Sequence, residues 1–583
     1  MARGGNLRTE RLVDARGQWA LGRVHLGVLQ PEPQLAGSDA VRVLFHGDLH
    51  NARELAASTS QRSAPGTTSA AAILRQLYDG SGTELALRLK GAFCAVILDE
   101  ARQQLVLIND LLGSYPMYWC QGPERFVFSS ELRAVLRDPS ISPALDPRAV
   151  ADYIQFGFVF GDRTLAAAVR LLPSASVLTY SWKTGTCELQ RYRRVADLFQ
   201  PRDGVGPDWL ERLHSTFDAA VARTQTTNGT PLGLSLSGGL DTRAVLSAVD
   251  TTTKPVSTYT LGVKGCADEV IAARLASIAG TNHRFFELDK RYLSGFLPNV
   301  TRMVSLTDGM YLSHGLTEML ALQFLADSDF KILLRGHCGE MAKATLAWPF
   351  HVDAAVEAMR GTDELIPYLL KRLDYVKHGA DGLFTDDWAQ AMEGGAERSL
   401  AESLDGLSLS PADACSYLYL EEQHRHFTVG SLEIFRNVLE VRLPFADEAF
   451  LEELLSLPVS LRSDTAIHRS LIQPRFLRVR NSNTGAPAGA GPRVEFVLDK
   501  FNTLFKRLNL YGYRHYHDFD AWMKAELLSS VEAVLLDPAT LARGMLREST
   551  LRRLIAATRD GTADHGYLFQ VLLILELWQR ENS

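Results

Sequence analysis

The sequence predicts two domains: an α+β unit of layered antiparallel sheets, then an α/β unit on a parallel sheet with a helical C-terminal extension. Three observations predict this. At 583 residues the chain exceeds what one core usually organises. Residues 1–200 carry closely spaced strand-like runs with turn signals between them and few helical stretches. Beyond them strand-like runs alternate with helical ones, the pattern of a parallel sheet covered on both faces, and from about Ala354 onward helical patterning predominates.

Taken in order, VRVLFHGDL, GAFCAVILDE, QQLVLINDLLG and RFVFSS each run apolar or alternate for strand length and stop at Gly, Asp or Ser. A helix is expected at Ser69–Tyr78. The Pro- and Gly-bearing stretch Gln200–Pro207 marks the boundary between domains at 1–200 and 208–583. PLGLSLSGG, VSTYTLG, HRFFEL and FKILLRG then read as strands, with helices such as Asp268–Ala279 between them. NSNTGAPAGAGPR, Asn481–Arg493, is a low-complexity loop, and no internal repeat is present.

The net charge of −7 is spread among interspersed acidic and basic residues, so neither a nucleic acid nor an anionic membrane is an expected partner. Cys94, Cys120, Cys187, Cys266, Cys338 and Cys415 are scattered without a CxxC or Cys/His cluster, the usage of reduced thiols in a cytoplasmic protein. The opening MARGGNLRTERLVDARGQW lacks the apolar core of a signal peptide, and no run reaches the ~18 to 20 apolar residues of a membrane span. Self-association as a homodimer is left open by the sequence.

The stretch richest in chemistry is LSLSGGLDTRAVLSAV, Leu234–Val249. A Gly-Gly pair most often makes only a tight turn. Here it follows the first strand of an α/β unit and opens a helix, where loop amides and a helix N-terminus converge on an anion. Asp241 would repel a bare phosphate, which points to a bridging cation, with Mg2+ on pyrophosphate the natural choice. Neither GxxxxGK[ST] nor GxGxxG is present in this stretch.

SGGLDT resembles the SGGxDS pyrophosphate loop of ATP pyrophosphatases, and its setting is similar to the synthetase domain of the asparagine synthetase family. VSTYTLGVKGCADEVIAARLASIAGTNHRFFEL resembles the next strand, acidic loop and helix of that family; FKILLRGHCGEM stands where it has SGxGxDE, and VLEVRLPFADEAFLEEL matches its ExRxPFLD segment. LFHGDLHNARELAAS, GAFCAVILDEARQQLVLINDLLGSYPMYW and FSSELRAVL resemble the N-terminal glutaminase (Ntn) domain, so the resemblance covers nearly the whole chain.

That resemblance implies a first domain without its chemistry. Glutamine-using members depend on an N-terminal Cys nucleophile; here the position is Ala2, and the family's substrate Arg, oxyanion Asn-Gly and amine-binding Asp fall at His25, His46-Gly47 and near Ala70. In this it resembles beta-lactam synthetases and lasso-peptide cyclases. In the second domain the resemblance implies ATP contacts from Leu234, Ser235, Ser237, Gly238, Gly239, Asp241, Thr242, Val263 and Gly336, and Mg2+ ligation by Asp241 and Glu340. His337, in the variable position of SGxGxD, is the candidate base for the incoming amine, with Glu421, Glu422 or Glu440 as its partner. The family's loop Lys is replaced around Asn483, with Arg478, Arg480 and Lys500 as nearby cations.

The implied activity is an ATP-dependent, AMP-forming amide ligase that adenylates a small-molecule or peptide carboxylate and couples it to ammonia or an amine without glutamine. The competing readings are a non-catalytic nucleotide-binding or scaffold descendant, motivated by the altered catalytic loops, and a lasso-peptide macrolactam cyclase.

Overall fold

The computed structural model describes residues 7–35, 40–58, 69–200, 205–225, 229–289, 291–374, 381–517, 519–524 and 526–583. It divides into two compact units, Met1–Ser142 with Asp162–Gln200, and Pro143–Gly161 with Pro201–Ser583.

Among the described residues the first unit holds ten strands: β1 (Arg8–Val13), β2 (Ala20–His25), β3 (Val41–Leu49), β4 (Gly91–Asp99), β5 (Gln104–Asn109), β6 (Tyr118–Gln121), β7 (Phe126–Ser129), β8 (Arg170–Leu171), β9 (Ser176–Ser181) and β10 (Thr186–Arg191). Its main sheet is antiparallel in the order β10-β9-β5-β4-β3, beside the pair β1-β2 and the sheet β7-β6-β8. Successive side chains of a strand point to opposite faces. Val43, Phe45, Phe93, Ala95, Ile97, Val106 and Ile108 therefore join one buried cluster with Ile73, Leu74 and Leu77 of the helix Ala70–Ser81. Their neighbours Leu44, Val96, Leu98, Leu105 and Leu107 join a second, with Leu21 and Met117. Burial on both faces is why these strands read as nearly continuous apolar runs. The expected helix begins at Ala70, with the Ser69 hydroxyl capping the Ala72 N–H at 3.2 Å.

The second unit is built on five parallel strands, β11 (Leu232–Ser235), β12 (Val256–Gly262), β13 (Asn282–Glu287), β14 (Ile332–Leu334) and β15 (Glu440–Arg442), in the order β13-β12-β11-β14-β15. The chain builds outward from β11 through β12 to β13, then returns to the other side of β11 for β14 and β15. The strand order thus reverses at β11, and such a switch point opens a crevice at the carboxyl ends of the strands. The loops after β11 and after β14 both empty there. β15 is a strand within a region whose sequence reads as helical; at three residues it is too short to carry a period of its own.

Pro143–Gly161 precedes the boundary expected at Gln200–Pro207, of which residues 201–204 lie outside the described residues, yet it packs with the second unit. Its helix Pro147–Phe156 is N-capped by Asp146. Tyr153, Phe156, Phe158 and Phe160 are buried, the Tyr153 hydroxyl donates to the Gly309 carbonyl at 2.7 Å, and the Gly161 N–H donates to Glu422 at 2.8 Å. Four buried aromatic rings bind this short segment more strongly than its place in the chain suggests. Among the described residues, no helix is long and apolar enough to cross a membrane.

Candidate active site

The first loop leaves β11 at Ser235 and enters the helix Asp241–Ala248. Leu234 is buried in the strand, and the Leu236 N–H donates to the Tyr259 carbonyl of β12 at 2.9 Å, holding the loop at the strand ends. The Ser237 N–H donates to the Thr242 hydroxyl at 3.2 Å, and the Gly239 N–H donates to the Ser237 hydroxyl at 3.2 Å. The Gly238 N–H donates to the Asp268 carboxylate at 2.7 Å. An anion already meets this loop's amides, and it is a side chain from the start of the next helix, Ala267–Ala279. Arg243, fully buried, donates to the carbonyls of Gly238, Val479 and Arg480 at 3.0, 2.8 and 2.8 Å, tying the loop to the segment that precedes Asn481. Burial brings its pKa down to about 10. The Val263 N–H is taken by the Tyr516 carbonyl at 2.8 Å.

The second loop follows β14. A Cβ on Gly336 would stand 2.8 Å from the Asp241 Cβ, and one on Gly339 would stand 2.4 Å from Asp241 Oδ1, so the approach of the two loops requires glycine at both places. Cys338, at the second glycine of the resembled motif, keeps the left-handed backbone that glycine favours, with φ of 68°.

Asp241 is where the loops meet, and the expected shared Mg2+ meets a different arrangement there. Lys343 Nζ lies 2.8 and 2.7 Å from the two Asp241 carboxylate oxygens, and His468 Nε2 lies 2.8 Å from Oδ1. Burial works to raise the Asp241 pKa, but Lys343 and His468 outweigh it and hold the carboxyl below the usual aspartate value. For Lys343, burial opposes the charge while Asp241 and Glu340 prevail and raise its pKa. Glu340 is pushed up by burial and then by Asp241, and it accepts the Tyr419 hydroxyl at 2.9 Å. With both Asp241 oxygens given to side chains and an ammonium beside them, the pair does not fit a divalent ion. Among the described residues no group of three or more His, Cys, Asp or Glu could hold a metal.

His337 stands in this second loop. Burial, followed by the charges of Arg335 and His424, pushes its pKa well below the usual histidine value, so the ring is neutral; its Nδ1 is buried without a hydrogen-bond partner. Its expected partners are Glu421, Glu422 and Glu440. Glu422 is spent on the Gly161 N–H and on the Ser403 hydroxyl, at 2.8 and 2.7 Å. Glu440 pairs in register with Ile332, at the start of β14, while His337 lies in the loop beyond the end of that strand. Glu421 is buried in the same helix as Glu422. The side chains that do reach the loop are Tyr419, on Glu340, and His424, whose Nδ1 lies 3.3 Å from the Cys338 sulfur.

Sequence reasoning did not name Lys343, His468, Tyr419 or Asp268. The signal the sequence offered for Lys343 was a Lys three residues after Glu340. Around Asn483 two of the three expected cations are engaged elsewhere: Arg480 lies over the Tyr513 ring at 4.1 Å and Lys500 over Phe496 at 4.3 Å. Lys506 Nζ instead reaches the Asn483 carbonyl at 3.4 Å.

In the first unit, Ala2 lies outside the described residues. His25 is held on β2 by Glu10 at 3.3 Å and by the Gly27 N–H, which donates to its Nδ1 at 3.1 Å. Burial and Arg23 lower its pKa. His46 packs edge-on against Tyr115 with centroids 5.0 Å apart. The Gly47 N–H, expected at the oxyanion position, is taken by the Gln30 side-chain oxygen at 3.3 Å, and the Gly47 carbonyl accepts the Gln30 amide at 2.6 Å. Ala70 opens its helix and offers only a methyl group.

Residues 9–193 match the family model of a glutamine amidotransferase domain, and residues 212–416 that of asparagine synthase. Glutamine-hydrolyzing asparagine synthetase 3 of Bacillus subtilis is 22% identical over 484 residues, spanning 75% of this chain and 72% of its own. Amidase chry2 of Gibberella zeae is 21% identical over 580 residues, 84% of each. Carboxyethyl-arginine beta-lactam-synthase of Streptomyces clavuligerus is 25% identical over 267 residues, 45% of this chain and 48% of its own. With an amidotransferase-like first unit and a second unit whose two loops meet at the strand-order reversal, the chain belongs to the asparagine synthetase family of ATP-dependent amide ligases.

Proposed function

We propose that this chain activates a carboxylate with ATP as an acyl-adenylate, releases pyrophosphate, and lets ammonia or an amine displace AMP to form an amide, drawing no nitrogen from glutamine. The observation that carries the reading is the meeting of the loops Ser237–Thr242 and Gly336–Glu340 at Asp241, at the carboxyl ends of β11 and β14. The hydroxyls of Ser237 and Thr242 and the amides of Gly238 and Gly239 are the donors for the phosphates, once Asp268 yields the Gly238 N–H. Leu234, Ser235, Val263 and Gly336 border the nucleoside. Magnesium enters only as the counter-ion that ATP carries in solution. His337 is the candidate acceptor for the proton of the attacking amine: burial keeps a ring-nitrogen lone pair free before the attack and, by disfavouring the charged ring, makes it a weak base.

The glutamine-free part of the proposal rests on the first unit, where Gln30 holds the Gly47 N–H and His25 is tied to Glu10 and Gly27. The purified chain is to be assayed for pyrophosphate release with ATP, a panel of carboxylates, and ammonium or amines, beside a glutamine control. The expected result is release with at least one carboxylate and amine pair, and no glutamate formed from glutamine. Glutamate formation would refute the nitrogen source, and pyrophosphate release from no pair would refute the reaction.

A second reading has its own support in the loop amides, which close on Ser237, Thr242 and Asp268. A nucleotide-binding descendant without turnover would bind ATP in calorimetry and release no pyrophosphate.

A further inference from the structure

We propose that Lys343 is the resident cation of the nucleotide site, its tethered ammonium holding Asp241 in place of a protein-bound divalent ion. The inference rests on the nucleotide reading of the Ser237–Thr242 loop for its meaning, and on geometry for its substance. Lys343 Nζ contacts both Asp241 oxygens, at 2.8 and 2.7 Å, and its side chain is only 12% exposed. An ion bound at the usual ~2.0 to 2.1 Å from either oxygen would share that face of the carboxylate with a like charge. The remaining approach to Oδ1 belongs to His468, whose side chain is fully buried and stacked on Phe445, with centroids 5.5 Å apart.

The lysine is placed by its backbone and not by a free arm. Its N–H donates to the Glu340 carbonyl at 3.0 Å, and its carbonyl accepts the Leu346 N–H at 2.8 Å. The next residue, Ala344, donates to the Arg462 carbonyl at 2.8 Å and accepts from the Val352 N–H at 2.9 Å. Glu340, the second expected metal ligand, is held by the Tyr419 hydroxyl. A site arranged in this way keeps a positive charge beside the phosphate loop whether or not free metal is present. Metal that takes part in turnover travels with ATP and is not held by the Asp241 and Glu340 pair.

The test is Mn2+ uptake by the full chain without nucleotide, read by electron paramagnetic resonance. The wild type is expected to take up no stoichiometric Mn2+, and Lys343→Arg to behave like it. Lys343→Met is expected to gain one Mn2+ per chain, and the further change Asp241→Asn to lose it. One Mn2+ per wild-type chain, removed by Asp241→Asn, would overturn the proposal. So would a Lys343→Met chain that is folded by circular dichroism and binds none. Should Lys343→Met not fold, Lys343→Gln replaces it with the same expectations, and the wild-type measurement decides in either case. ATP calorimetry on the wild type is scored separately: absence of ATP binding ends the nucleotide reading and leaves the Mn2+ result standing.

Discussion

Asp241 is the first residue of its helix, where the partial charge of the free N–H groups already favours a carboxylate, and Lys343 and His468 add a cation and a ring donor to the same group. Gly339 lets the second loop close on it. A methyl there would stand 2.4 Å from Oδ1, deep inside van der Waals contact. Gly339→Ala is therefore expected to push the loops apart and weaken ATP binding by at least about tenfold, about 1.4 kcal/mol. Unfolding of the same variant would shift by the ~1 to 3 kcal/mol of an overpacked site. Calorimetry beside urea unfolding separates the two, and unchanged ATP affinity would contradict the role given to the loop contact. At this scale the sequence made legible that the loops carrying Ser237, Asp241 and Thr242, and His337 and Glu340, follow the strands β11 and β14, which lie side by side. It did not reveal that Lys343 turns back onto Asp241, because that depends on two successive 3-10 turns, Gly339–Ala342 and Ala344–Leu346, which no residue period announces.

The helical segment Pro411–Arg436 brings to the second loop two side chains that no residue period marks, Tyr419 and His424. Its middle, Tyr419–Thr428, is a π-helix. Tyr419 and His424 are five residues apart, which an α-helix would turn about 140° from each other. The i→i+5 bonding of the wider helix brings them back toward one face, and both reach the second loop, while Glu422 turns to Gly161. His424 is fully buried, and burial followed by Arg436 lowers its pKa to about 4. Its folded pKa lies below its unfolded one, so the unfolded chain binds the extra proton between about pH 6.5 and 4. Stability is complete above pH 6.5 and falls as the pH drops toward 4, by up to about 3 kcal/mol from this group. His424→Leu is expected to flatten that part of the pH–stability curve measured by urea unfolding; an unchanged slope would show that another group carries it. Of the first unit's strands, β3, β4, β5 and β7 were legible because alternation and apolar runs survive in local sequence. β15 was not, being three residues between helices and fixed only by its register with β14.

In the molecule as a whole, the two-domain organisation follows from strand patterning that changes near residue 200, but the second unit includes an earlier piece that such patterning does not mark. Pro143–Gly161 precedes the last strands of the first unit and belongs to the packing of the second. Phe158 lies within it, with rings of Phe160 and Phe350 at 5.4 and 6.2 Å. Phe158→Ala is expected to destabilise the second unit by about 3 to 5 kcal/mol. Limited proteolysis after partial heating should then release fragments of residues 205–583 before those of the first unit; the reverse order would contradict the assignment of this segment. What the sequence left unread in the first unit is the contact made at Gly47. The substitutions at His25, His46 and Ala70 are visible in the chain, whereas the Gln30 side chain on the Gly47 backbone comes from outside every motif.

The two units together predict a ligase that spends ATP at the second and takes no nitrogen from the first. Phosphorus NMR of the full chain with ATP, the carboxylate panel and ammonium or an amine follows that claim directly. The account predicts AMP and pyrophosphate appearing in equal amounts with ammonium or the amine, and none when glutamine is the sole nitrogen source. ADP with orthophosphate, or AMP formed with glutamine alone, would contradict it.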